Sequence, residues 1–312
     1  MKQDLLEKVL RCPRLPSLPT IALEVIELCR QQDINIKHIA TTISNDPALS
    51  SKILKTVNSS FYGLSQSVST ISHALVILGL NSVKTLALGF TLIDTFKNHS
   101  EDDFDMIQFF QRCLYSAVGA RAVATEAGVN ESEEAFLGGL LQDLGMMAMF
   151  QTLGPQYQEL LKEVGNDHRE LWKLERKQLG LDHTEAGAAL GEKWKLPKLL
   201  IAPIKYHELP DKAPGDLGPM VRCVAIGSRA ADVYLTNDPK MLQPFFDGLE
   251  KWFNIDSNQG EQLLQRIGDA TREMATLFEI PATDAPNVED ILAEANETLL
   301  QLSLETAQSA NP

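Results

Sequence analysis

Along almost its whole length this chain repeats its apolar residues every three or four positions, and no convincing apolar/polar alternation interrupts that rhythm. Such a pattern leaves little room for a sheet. Aromatic residues make up 6% of the sequence, and the apolar set is rich in Leu and Ala, which form helices more readily than strands. The punctuation agrees with the period. Asp46-Pro47 pairs an N-cap acid with a proline at the first helical position, Asp182 opens a further helix, and Pro19 and Pro197 stand at helix starts. Ser69 or Thr70 opens the helix of Ile71 and Leu75, Gly79 closes it, and Asn81 is placed to cap the long apolar helix that follows. The expectation is an all-α protein.

The helices group into two packed lobes, at about residues 15–98 and 103–235, within a domain spanning 1–240. The second lobe opens with a helix carrying Phe109, Phe110, Cys113, Leu114, Ala117 and Ala120 on its inner face. An acidic helical extension, 241–312, follows as a candidate coupling segment. From Pro244 to Pro312 there are 13 Asp/Glu and 3 Lys/Arg, so this stretch carries −10 of the chain's net −14. Its last helix bears Val288, Ile291, Leu292, Ala295, Leu299 and Leu302 as one apolar stripe, which needs cover. Strong acidity along its flanks disfavours pairing with a second copy and favours docking on the body or a basic partner.

The acidic balance argues against nucleic acid as a partner. Four scattered cysteines, Cys12, Cys29, Cys113 and Cys223, form no C-x-x-C pair and suit a reducing compartment. No apolar run approaches the ~18 residues of a membrane span. The expectation is a cytoplasmic chain with no membrane partner.

The chemistry centres on Leu137-Gly138-Gly139-Leu140-Leu141-Gln142-Asp143-Leu144-Gly145. A carboxylate in so apolar a run must be paired if it is buried. The plain alternative is an Asp at a helix end, satisfied by backbone N–H groups. His183 lies just inside a helix start beside Asp182 and Glu185, and His207 ends the next helix. With Asp143 before them and Asp232 after, they form a His/Asp set on four helices, the kind of set that helical bundles use to hold metals. His38, His73, His99 and His168 carry no partner pattern and read as surface or structural residues.

These motifs, in this order, resemble the HDOD domains, helical bacterial signalling modules related to the metal-dependent HD phosphohydrolases. The resemblance runs from Leu15 to Tyr234. It is carried by Leu15-Pro16-Ser17-Leu18-Pro19, Ser44-Asn45-Asp46-Pro47-Ala48-Leu49, Val57-Asn58-Ser59-Ser60-Phe61-Tyr62, the Gly138–Gly145 run, His183-Thr184-Glu185-Ala186-Gly187, Trp194-Lys195-Leu196-Pro197 and Tyr206-His207. It implies an HD-superfamily-like helical bundle. It also implies a metal-ligand set of which Asp143, His183, His207 and Asp232 remain, with Gln142 and Glu185 beside it. Active relatives have a His-Asp doublet where this chain has Gln142-Asp143, and an earlier His where it has Phe110-Gln111-Arg112-Cys113. The loss of these two imidazoles leaves too few ligands for a pair of ions. The expectation is therefore a non-catalytic signal-transduction module, without a cofactor or with a single divalent ion, that couples a ligand or partner to a signalling protein or output domain through its C-terminal helices. The alternative is a metal-dependent phosphohydrolase acting on a nucleotide or cyclic dinucleotide.

Overall fold

The computed structural model describes residues 2–15, 17–28, 36–97, 104–165, 167–236, 238–281 and 290–293. Its regular elements are all helical, with no strand among the described residues, as the periodicity requires. The first set comprises α1 (Lys2–Leu10), α2 (Thr20–Leu28), α3 (Ile36–Ser44), α4 (Pro47–Val57), α5 (Ile71–Ile77) and α6 (Gly79–Lys97). The second comprises α7 (Met106–Glu126), α8 (Ser132–Leu141), α9 (Leu144–Leu153), α10 (Pro155–Val164), α11 (His168–Gln178), α12 (His183–Lys193), α13 (Lys198–Tyr206) and α14 (Gly218–Thr236). Two more, α15 (Leu242–Phe253) and α16 (Ser257–Leu277), follow.

Caps decide most boundaries. Asp46, Thr70, Asp167 and Asp182 each accept a hydrogen bond from the backbone N–H three residues on, satisfying a donor that the first turn leaves free. Two starts differ from expectation. The helix of Asn81 begins at Gly79, whose φ of 84° turns the chain directly out of α5, so Asn81 lies inside the first turn and caps nothing. Pro19 stands one place before α2, where its carbonyl accepts from Leu23 N–H.

The centre of the second set is α7, which packs along α14 and α8. Small residues set those approaches. A Cβ on Gly139 would lie 2.6 Å from the Ser116 carbonyl oxygen, and one on Gly119 would lie 2.9 Å from Gly227 Cα. The two sets join where α6 meets α8, and α1 crosses to lie on α9 and α12.

The acidic extension is built into the body as far as it is described. Phe245, Leu249, Leu263, Leu264, Ile267, Met274 and Phe278 are buried in the same apolar core as α6 and α7. The Phe278 ring stacks on Phe90 with centroids 4.2 Å apart. Of the expected final stripe, Ile291 is buried and Leu292 half-buried. Val288, Ala295, Leu299 and Leu302 lie outside the described residues. No helix among the described residues is long and apolar enough to cross a membrane.

Candidate metal centre

Asp143 follows Gln142, the C-cap of α8, and stands at the N-cap of α9, yet its side chain makes no capping bond. The plain alternative for this residue, a carboxylate satisfied by its own helix end, therefore does not hold. The carboxylate is fully buried and divides its two oxygens between two cation-seeking environments.

On one side, Asp143 Oδ2 accepts from Arg112 Nε at 3.1 Å and from Gln142 Nε2 at 3.1 Å. The Arg112 guanidinium goes on to donate to Asp232 Oδ1 at 2.6 Å and to Ser228 Oγ at 2.8 Å. One buried guanidinium thus links α7 to α14 and to the α8–α9 junction. Burial disfavours its charge, but Asp232 and Asp143 outweigh that and raise its pKa further, so it is a permanent cation.

On the other side, Asp143 Oδ1 faces three imidazoles. His168 Nε2 lies 3.1 Å away, His207 Nε2 3.5 Å and His183 Nε2 3.9 Å. His168 is the first residue of α11 and His183 the first of α12, each directly after an N-cap Asp, while His207 caps the C-terminus of α13. One ligand atom from each of Asp143, His168, His183 and His207 falls within 4.8 Å of all the others. Glu208 adds a carboxylate oxygen 3.5 Å from His168 Nε2.

The outer contacts fix what these rings present. His183 Nδ1 lies 2.7 Å from Glu175 Oε2, and Glu175 is itself held by the Tyr157 hydroxyl. His207 Nδ1 lies 3.1 Å from the Pro203 carbonyl oxygen and 3.2 Å from that of Ile204. Carboxylate and carbonyl oxygens only accept, so both Nδ1 atoms carry the hydrogen. Both Nε2 atoms, 3.3 Å apart, are then lone pairs turned on each other and on a carboxylate. Such an arrangement holds only around a proton or a metal ion. Without an ion the proton falls on His183. Burial works against its charge, but Glu175, Asp143 and Glu208 prevail and raise its pKa to about 9. Burial likewise works against the Asp143 charge, but His168, His207 and Arg112 hold its carboxyl well below the usual range. The residues fit an ion: Asp143 Oδ1 and His168 Nε2 are buried without an aligned hydrogen bond, and three imidazoles with one carboxylate form a donor set suited to zinc or a similar divalent ion.

The structure thus brings Asp143, His183 and His207 together, as the sequence suggested. It places Asp232 elsewhere: that carboxylate is drawn to Arg112 and lies outside the imidazole group. Gln142 is fully buried and orients Asp143, whereas Glu185 pairs with Lys2 on the surface side of α12. His168 corrects the expectation of a surface or structural residue, being 5% exposed and part of the group. His38 is exposed, His73 is half-buried, and His99 lies outside the described residues. Sequence reasoning also missed Arg112, Glu175 and Glu208. A signal for His168 was present, since Asp167-His168 and Asp182-His183 are the same cap-plus-imidazole pair repeated at two helix starts.

Comparisons with known proteins place the chain in a family. A Treponema pallidum protein of uncharacterized function is 27% identical over 220 residues, which cover 70% of this chain and 42% of that one. The chain therefore spans less than half the length of that curated relative. A crystal structure from Shewanella amazonensis, described provisionally as a phosphohydrolase, superposes with a TM-score of 0.68 at 23% identity, covering 89% of this chain and 98% of that one. Another from Marinobacter aquaeolei, described provisionally as a signal transduction protein, gives 0.67 at 19% identity, covering 89% and 65%. At these identities the two structures speak for the fold. The HDOD domain model matches residues 15–210, and the chain belongs to the HDOD domain family.

Proposed function

We propose that this chain is a non-hydrolytic regulatory module, with a single-ion centre in its second lobe and its C-terminal helices as the route by which its state reaches a signalling partner or output domain. The observation that carries this reading is Arg112. A hydrolytic pair of ions, about 3.5–4 Å apart, would need a full set of ligands for each metal. Here the Arg112 guanidinium takes Asp143 Oδ2 and ties it to Asp232 and Ser228, which leaves only Oδ1 to face an ion. Gln142, an amide, cannot replace an imidazole there.

His168, His183, His207 and Asp143 would hold the remaining ion. A divalent ion bound there supplies Lewis-acid polarisation to any ligand oxygen that reaches it. The chain's own residues do the rest: Glu175 and the Pro203 carbonyl orient the imidazoles, and Gln142 and Arg112 orient the carboxylate. Coupling is supported by Gln111, the neighbour of Arg112, whose Nε2 donates to the Pro281 carbonyl at 2.8 Å. Pro281 lies four residues beyond the end of α16 at Leu277, on the way to the C-terminal segment.

The alternative, a phosphohydrolase, draws on the same buried His/Asp group and on the fold shared with the Shewanella amazonensis protein. Turnover separates the two. The full chain, loaded in turn with zinc, manganese and iron(II), is expected to leave bis(p-nitrophenyl) phosphate and cyclic dinucleotides intact. Metal-dependent hydrolysis that disappears in Asp143→Ala would establish the enzyme instead.

A further inference from the structure

A cavity of about 270 Å³ lies beside the metal centre, between the start of α7, the α10–α11 turn, α9 and the end of α14. Phe104, Phe109, Met146, Leu161, Leu171 and Leu235 form its apolar walls, and the exposed residues Lys162 and Asp105 mark its mouth. Its inner end is formed by Arg112 and His168, both buried residues of the centre just described. An engineered cavity of about 150 Å³ already admits benzene. This space is of ligand size, and its apolar wall with a few convergent polar groups is the usual make-up of a small-molecule site.

The polar groups at the inner end narrow the ligand's chemistry. Arg112 is the donor: a guanidinium has five N–H groups and no acceptor, and three of these are spent on Asp143, Asp232 and Ser228. His168 offers a ligand no acceptor either, because its Nε2 faces Asp143 Oδ1 at 3.1 Å and belongs to the ion-binding group. A ligand cation would therefore find no acceptor there. An anion would meet donors, but directly behind them stand the carboxylates of Asp143, Asp232 and Glu208. At the mouth, Asp105 and Asp167 outnumber Lys162. A nucleotide phosphate is thus poorly matched to this cavity.

We infer that the cavity binds an uncharged, ring-sized, largely apolar molecule through one acceptor oxygen, a carbonyl or hydroxyl, seated against the remaining N–H groups of Arg112. This rests on the regulatory reading and names the class of signal that such a module would take. Occupancy would press on the start of α7 and on α11, the two helices that carry Arg112 and His168.

The test uses three matched probes on the full chain: acetophenone, benzoate and benzylammonium, followed by ligand-observed NMR and titration calorimetry. Acetophenone is expected to bind at least tenfold more tightly than either charged probe. Leu171→Trp, which fills the cavity from one wall, should abolish that binding. Leu161→Phe, at a half-buried position, is the second variant should the first fail to fold, and should weaken binding several-fold. Equal or tighter binding of benzoate or benzylammonium, binding unchanged in a folded filling variant, or no acetophenone binding would each overturn the inference. Turnover and metal content are read separately. A chain that hydrolyses phosphodiesters yet binds acetophenone sinks the regulatory reading alone, and one inert to both loses only the cavity assignment.

Discussion

Arg112 is the residue on which the chemistry turns, and its charge state sets a stability prediction. Replacing it with methionine keeps much of the volume but strands Asp143 and half-buried Asp232 without their cation. Removing one partner of a buried ion network costs about 3–5 kcal/mol, so denaturant unfolding of Arg112→Met should show a loss of that order, with Arg112→Lys intermediate. His183 gives a prediction in pH. Its folded pKa of about 9 lies above its ordinary 6.5, so its stabilising contribution is complete below pH 6.5 and is lost as pH rises through 9. At 1.36 kcal/mol per pH unit, that window holds about 3 kcal/mol. The chelator-treated protein should therefore melt progressively lower between pH 6.5 and 9.5, and His183→Gln should flatten that slope. Ion binding near pH 7 should release about one proton, measurable by calorimetry in buffers of different ionisation enthalpy. Asp143, His183 and His207 were legible in the sequence because each sits at a marked helix end in an apolar context. Arg112 was visible there only as an imidazole that is missing, since a basic residue mid-helix gives no sign that two acids on distant helices converge on it.

At the scale of the elements, tight crossings hold the centre in place. A Cβ on Gly145 would overlap the His183 carbonyl oxygen and lie 2.6 Å from Gly187 N, so the start of α9 rests directly on the start of α12. Gly145→Ala should push these two helices apart. Overpacking of this kind costs about 1–3 kcal/mol or more. Because Asp143 and His183 ride on the two helices, ion affinity should fall along with the melting temperature. Calorimetric titration of zinc checks this, since unchanged affinity would mean that the crossing does not position the ligands. Helix starts were largely readable because a cap is a local event: Asp46, Thr70, Asp167 and Asp182 need only their own next three residues. The start of α6 was not, because Gly79 with φ 84° lets one helix follow another without a capping side chain. Which helices touch, and through which glycines, depends on residues far apart in sequence and left no local trace.

Across the whole molecule, the acidic extension is part of the core as far as α16 and Phe278. Lys97 Nζ donates to the carbonyls of Phe278 and Glu279 at 2.8 and 2.9 Å, and Gln111 holds Pro281. The helices that cover α16, namely α4, α7 and α14, could be named only from the structure. Ile291 is 1% exposed, and a buried isoleucine is worth roughly 1.5–3 kcal/mol. Truncation after Asn287 should accordingly lower the melting temperature of the body by a few degrees; an unchanged melt would show that the segment contributes nothing to it. The account as a whole rests on a centre in which one of two cation positions belongs to Arg112. Its most direct test is the transition-metal content of the full chain purified without chelator. One equivalent per chain is predicted, falling to none in Asp143→Ala. Two equivalents per chain, or none in the unaltered protein after incubation with zinc, would contradict it.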